Sequence, residues 1–214
     1  MAILCNCYNK RMKNDAAKLK IGVLVSGRGS NLQAIMDASA SGVLDAEIAV
    51  VISDKPDAPA LRRIDGVAPG VVIERKSHPT AEAFDSAIAN ALEERRVELV
   101  VLAGFMRVLG ADFIRRFRGR IINIHPSLLP SFPGLHAQRQ ALLHGVKISG
   151  CTVHLVDESL DGGPILAQSA VPVLPGDTEE SLSERILKKE HALLVEAIMA
   201  YGSARHNMAN VKGS

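Results

Sequence analysis

Two short stretches of the chain carry polar residues in patterns that suit chemistry. The first is Ser26-Gly27-Arg28-Gly29-Ser30-Asn31, directly after the apolar run Ile21 to Val25 and opening a helical pattern through Leu32, Ile35 and Met36. Backbone N–H groups at such a helix start, with the helix dipole behind them, make an anion site. Gly27 and Gly29 let the backbone approach a phosphate, and Ser30 can cap the helix or donate to a phosphate oxygen. The rival is a dinucleotide fingerprint, G-x-G-x-x-G, with Asp54 as the acidic residue after the second strand. Leu32 occupies the place of that fingerprint's third glycine, which favours a single phosphate. A plain strand-to-helix turn is the remaining alternative.

The second stretch is Ile121-Ile122-Asn123-Ile124-His125-Pro126, which sets two polar side chains at the carboxyl end of a strand. The strand period of two puts Asn123 and His125 on one face. Ligands of open α/β sheets bind outside these ends, a bias that a mid-strand histidine lacks. A carboxamide can donate to an oxyanion while an imidazole shuttles a proton, if both are fixed within reach of one reacting carbon. Against this stands the ordinary case of a packed structural histidine. Asp161 lies in Asp161-Gly162-Gly163-Pro164, a composition that makes a plain turn equally well. No G-x-S-x-G elbow, Walker loop or H-E-x-x-H occurs, so hydrolysis through serine or zinc has no support.

These residues need a scaffold, and short β-rich runs alternate with helical patterns to provide one. Ile21 to Val25, Glu47 to Ser53, Val71 to Glu74, Glu98 to Ala103 and Arg120 to Ile124 read as strands. They are apolar at consecutive positions, as strands buried on both faces of a parallel sheet are. The helix expected from Thr80 to Arg96 lines up Phe84, Ile88 and Leu92 on one face. After Gly150 the runs Cys151 to Val156 and Ile165 to Val173 follow without a helix, so both are expected as antiparallel additions. A last helix is expected from an Asp177-x-x-Glu180 capping box to Tyr201. Residues 1–19 and 202–214 read as tails around a single domain, 20–201.

Composition agrees. A chain of 214 residues is long enough to bury roughly 70% of its unfolded surface without a metal or disulfide staple. Hydrophobic residues make up 47% and charged residues 22%, the balance of a globular protein. A net charge of +2 is too small for a nucleic-acid or membrane surface. Lys10, Arg11, Lys13, Lys18 and Lys20 read as a solvated basic tail. Cys5, Cys7 and Cys151 fit reduced thiols, with no zinc-ligand spacing around them. No apolar run approaches the roughly 20 residues of a membrane span, and no signal-peptide core is present, so a cytoplasmic protein is expected.

Taken together, Ser26 to Asn31, Ala103-Gly104-Phe105-Met106-Arg107, Asn123-Ile124-His125-Pro126-Ser127-Leu128-Leu129-Pro130 and Leu160-Asp161-Gly162-Gly163-Pro164 resemble the phosphoribosylglycinamide formyltransferases, folate-dependent enzymes of purine synthesis. The resemblance covers residues 20 to 200 and implies a Rossmann-like α/β formyltransferase fold: a mostly parallel central sheet, helices on both faces, and antiparallel strands added near the C-terminal part. It implies transfer of the formyl group from 10-formyltetrahydrofolate to the amine of glycinamide ribonucleotide, with no metal. Asn123, His125 and Asp161 would be catalytic, and Asp161 joins the other two on this ground alone. Gly29, Ser30, Asn31 and Glu190 would bind the nucleotide, although Glu190 otherwise reads as a solvated charge. Met106, Arg107, Val108, Leu109, Asn123, Asp157 and Glu158 would bind the folate, and His154 would support the site, with a packed strand histidine as its equal alternative. Ala81 departs from relatives that carry a basic residue near the folate tail. The implied partners are small-molecule substrates, in a monomer or homodimer.

Methionyl-tRNA formyltransferase shares the Asn-x-His and distant Asp pattern but resembles a longer chain with an added C-terminal domain. Formyltetrahydrofolate deformylase usually begins with a regulatory domain. Both lengths are expected to exclude this chain. From other classes, a non-catalytic nucleotide-binding module and a nicotinamide dehydrogenase remain open.

Overall fold

The strands are β1 (Leu19–Val25), β2 (Ala46–Ser53), β3 (Gly70–Val72), β4 (Leu99–Leu102), β5 (Ile121–His125), β6 (Ile148–Leu155) and β7 (Ile165–Pro172). In a computed structural model describing residues 18–212, they form one sheet ordered β3-β2-β1-β4-β5-β6-β7. The first five pair in parallel, while β6 runs antiparallel to both β5 and β7. The expected mixed sheet is therefore present. Its strand order reverses between β1 and β4, the switch point where open α/β sheets leave a ligand crevice.

Helices α1 (Ser30–Ala40), α2 (Pro59–Arg63), α3 (Ala81–Glu94), α4 (Ala111–Arg116) and α5 (Ala137–Leu143) lie between strands, and α6 (Glu179–Lys212) follows β7. Alternation splits the apolar strand residues into two cores. Ile21, Val23, Val101, Ile122 and Ile124 pack with Leu32 and Ile35 of α1 and Leu182, Ile186, Leu194 and Ile198 of α6. Leu24, Val100, Leu102 and Ile121 face Phe84, Ile88 and Leu92 of α3 and Phe113 of α4. By the same alternation Asn123 and His125 belong to the α3 side of β5. Gly22 lets α3 come close, since a Cβ there would lie 2.4 Å from Leu92 Cδ2.

Some boundaries differ from those the sequence suggests. β3 ends at Val72 because the chain turns into a 3-10 segment, Arg75–Ser77. Lys20, read as part of the basic tail, lies within β1 and gives its N–H to Glu98 Oε2 at 2.9 Å. The cap of α6 is one residue later than the Asp177 box. Thr178 N–H donates to Ser181 Oγ at 3.0 Å and Ser181 N–H returns to Thr178 Oγ1 at 3.3 Å. Asp177 instead takes both Arg185 guanidinium nitrogens. The helix continues beyond Tyr201 to Lys212, and an Arg205–Glu98 ion pair ties it to the start of β4. Cys151 is a free, buried thiol, whereas Cys5, Cys7, Lys10, Arg11 and Lys13 lie outside the described residues. No described helix is long and apolar enough to cross a membrane.

Candidate active site

Antiparallel pairing of β5 with β6 builds the centre. The register sets Asn123 opposite His154 and His125 opposite Thr152. Asn123 Nδ2 lies 3.2 Å from His154 Nε2, and His154 Nδ1 lies 2.9 Å from the Leu155 carbonyl. A neutral His154 that donates from Nδ1 and accepts from Asn123 at Nε2 satisfies both contacts. Burial holds its pKa below the ordinary value, against the opposing influence of the Leu155 carbonyl and Asp161. His154 thus fixes the carboxamide while Asn123 stays only partly buried.

His125 is 5% exposed and has an acceptor at each ring nitrogen. Nε2 stands 2.9 Å from the Phe132 carbonyl, and Nδ1 stands 3.4 Å from Asp161 Oδ2. A doubly protonated ring satisfies both. Asp161 Oδ2 also accepts Gly134 N–H at 2.7 Å, and Asp161 Oδ1 lies 3.7 Å from His154 Nε2. The β6–β7 loop carries Asp161 here with φ 50, a left-handed conformation that Asp tolerates better than most residues. Gly163 permits the loop's close return, because a Cβ on it would sit 1.9 Å from the Leu155 carbonyl oxygen. Asn123, His125, His154 and Asp161 are therefore assembled as one cluster. The Phe132 carbonyl and Gly134 N–H were not foreseen, and backbone groups leave no residue-type signal to find them by.

At the end of β1, Gly29 has φ 73 and precedes α1. A Cβ on Gly29 would lie 2.6 Å from Ala60 Cβ, because α2 packs on this loop. Ala60 N–H donates to the Gly27 carbonyl at 3.1 Å, and Arg63 Nε to the Arg28 carbonyl at 2.7 Å. Asn31 does not turn its amide outward from the loop. Its Nδ2 donates to Glu190 Oε2 at 2.8 Å, and both side chains are buried. Burial raises the Glu190 pKa above the ordinary carboxylate value, the Asn31 bond opposing it. Four expected nucleotide contacts, Gly29, Ser30, Asn31 and Glu190, are thus gathered where α1 meets α6. The dinucleotide alternative loses its acidic residue, since Asp54 is buried and bonded to Arg107 at 2.8 Å.

The loop after β4 presents Met106 at 61% and Val108 at 85% exposure, while Leu109 is buried beneath them. Asp157 accepts Ser159 N–H at 2.9 Å, and the Ser159 hydroxyl, followed by that N–H, lowers its pKa. Glu158 is exposed beside it. A cleft of about 290 Å³ runs between α3 and α4, lined by Ala81, Glu82, Asp85, Val108 and Arg116 among others. Asn123, His125 and Asp161 do not line it, so its volume says nothing of the chemistry.

Residues 19–198 match the formyl transferase family model. The chain is 46% identical over 185 residues to the phosphoribosylglycinamide formyltransferase of Mycobacterium tuberculosis, covering 86% of each. It is 52% identical over 176 residues to the trifunctional purine biosynthetic protein adenosine-3 of Drosophila melanogaster, where the match takes in 80% of this chain and only 13% of the relative. Among solved structures, glycinamide ribonucleotide transformylase 1 from Symbiobacterium toebii superposes with a TM-score of 0.87 at 49% identity, over 89% of this chain and 90% of that one.

Proposed function

The chain belongs to the formyl transferase family, and from that membership we propose that it transfers the formyl group of 10-formyltetrahydrofolate to the amine of 5-phosphoribosylglycinamide, a step of purine (IMP) synthesis. The observation that carries this is the cluster of Asn123, His125 and Asp161 at the end of β5, on the same edge of the sheet as the glycine loop of β1.

Met106, Arg107, Val108 and Leu109 would hold the folate with Asn123, Asp157 and Glu158. The exposed Met106 and Val108 side chains suit a flat, largely apolar ring system. When bound, the folate supplies the formyl group. Gly29, Ser30 and Asn31 hold the nucleotide phosphate at the start of α1, and Glu190 contacts the same substrate. As the amine attacks the formyl carbon, negative charge grows on the formyl oxygen, where Asn123 donates the amide hydrogen that His154 leaves free and a protonated His125 stabilises it through its charge. Asp161 Oδ2 lies against Nδ1 of His125 and orients the ring. The proton shed by the amine passes through water to the leaving nitrogen, or His125 gives its own proton to that nitrogen and takes the amine's in exchange. Small soluble substrates fit a cytoplasmic protein, working as a monomer or homodimer.

The test is an assay of the purified chain with 10-formyltetrahydrofolate and glycinamide ribonucleotide, with water as the competing acceptor. Nucleotide-dependent transfer is expected. Rapid hydrolysis without the nucleotide would point to a deformylase. His125→Ala is expected to lose transfer while it still binds the nucleotide, and undiminished turnover would sink the catalytic role.

A further inference from the structure

Asp54 follows β2, one strand beyond β1 from the loop it touches. Its side chain is fully buried, and its Oδ2 takes Arg107 Nε at 2.8 Å, whereas the Arg107 side chain is 45% exposed. The other oxygen, Oδ1, is buried with no partner among the described residues. A carboxylate so placed is a poor source of stability, because its desolvation is only partly offset by one ion pair. What the pair does accomplish is geometric. The loop after β4 is tied to β1 by Ser26 N–H on the Gly104 carbonyl at 3.1 Å and by Met106 N–H on Ser26 Oγ at 2.8 Å. Both bonds act on backbone before residue 107. Beyond them, Asp85 Oδ2 takes the Gly110 N–H at 2.7 Å, and Asp54 holds Arg107, the residue between the exposed Met106 and Val108.

We propose that Asp54 is a positioning residue for the formyl donor: through Arg107 it fixes the loop after β4 in the shape that binds the folate. This rests on the assignment of Met106 to Leu109 to the folate given above. Asp54 touches neither substrate in this scheme, and it should leave the glycine loop and the Asn123–His125–Asp161 cluster as they are.

Asp54→Asn keeps the volume and one acceptor oxygen but removes the charge. Its KM for 10-formyltetrahydrofolate is expected to rise on the order of tenfold, the size of one weakened charge-assisted bond. The KM for glycinamide ribonucleotide and kcat should stay near those of the parent. Calorimetric titration with tetrahydrofolate, which carries no formyl group, gives a readout apart from turnover. A parent that binds no tetrahydrofolate would refute the folate assignment itself. A parent that binds and an Asp54→Asn variant that binds equally well would refute the positioning role alone. A variant whose two KM values and kcat all move together with Tm would also overturn it, as a merely structural effect. Should Asp54→Asn not fold, Asp54→Ser removes the same carboxylate and leaves Arg107 in place, and an unchanged tetrahydrofolate affinity there would sink the proposal equally.

Discussion

Two histidines with unlike surroundings stand on β5 and β6. His154 is held neutral by burial and spends both nitrogens on Leu155 and Asn123. His125 has a carbonyl on one side and the Asp161 carboxylate on the other. Asn123 and His125 were legible in the sequence because strand alternation and a strand end suffice to place them. Asp161 was not, since its approach depends on how β6 and β7 pair and on a loop with a left-handed Asp. Glu190 was hidden for another reason: a single acid between Lys189 and His191 looks solvated until α6 is docked. Its burial makes a prediction. The folded chain holds the Glu190 proton to higher pH than the unfolded chain, whose carboxyl titrates near 4.5. The residue therefore weighs against stability as pH rises through and beyond that value. Glu190→Gln should gain in Tm over the parent as pH is raised from 4 towards 7, while its KM for the nucleotide increases. A Tm difference that is the same at both ends of a pH series would contradict this.

Single elements were the most readable part. Runs of Val, Ile and Leu located the strands because both faces of a parallel sheet are buried. Ends were less readable. Asp177 and Thr178 are adjacent residues that both suit a cap, and only the reciprocal Thr178–Ser181 bonds choose between them. Gly202 and Ser203 resemble a stop, yet α6 passes through them with Arg205 still paired to Glu98. The glycine loop yields a test with an internal control. Gly29→Ala puts a Cβ at positive φ and against Ala60, a strain on the order of 1 to 3 kcal/mol that should appear as a raised KM for the nucleotide. Gly42 has a positive φ too but lies past the far end of α1, so Gly42→Ala should leave that KM unchanged. Equal effects from both variants would contradict a steric role for Gly29.

At the scale of the molecule, two cores flank one sheet. Leu194 is fully buried in the core beneath α6. Leu194→Ala should cost about 2 to 5 kcal/mol, measured by denaturant unfolding, with both KM values retained in the folded enzyme. A large change in either KM without loss of stability would mean that this core reaches the site more directly than its packing suggests.

The Asn31–Glu190 bond joins residues 159 positions apart, near the two ends of the described chain. During synthesis the glycine loop leaves the ribosome long before α6 exists, so the early chain has that loop without the buried partner that orients Asn31. Nucleotide affinity should therefore emerge late and abruptly on the ribosome, when the last helix closes over the sheet, and not gradually as the first strands form.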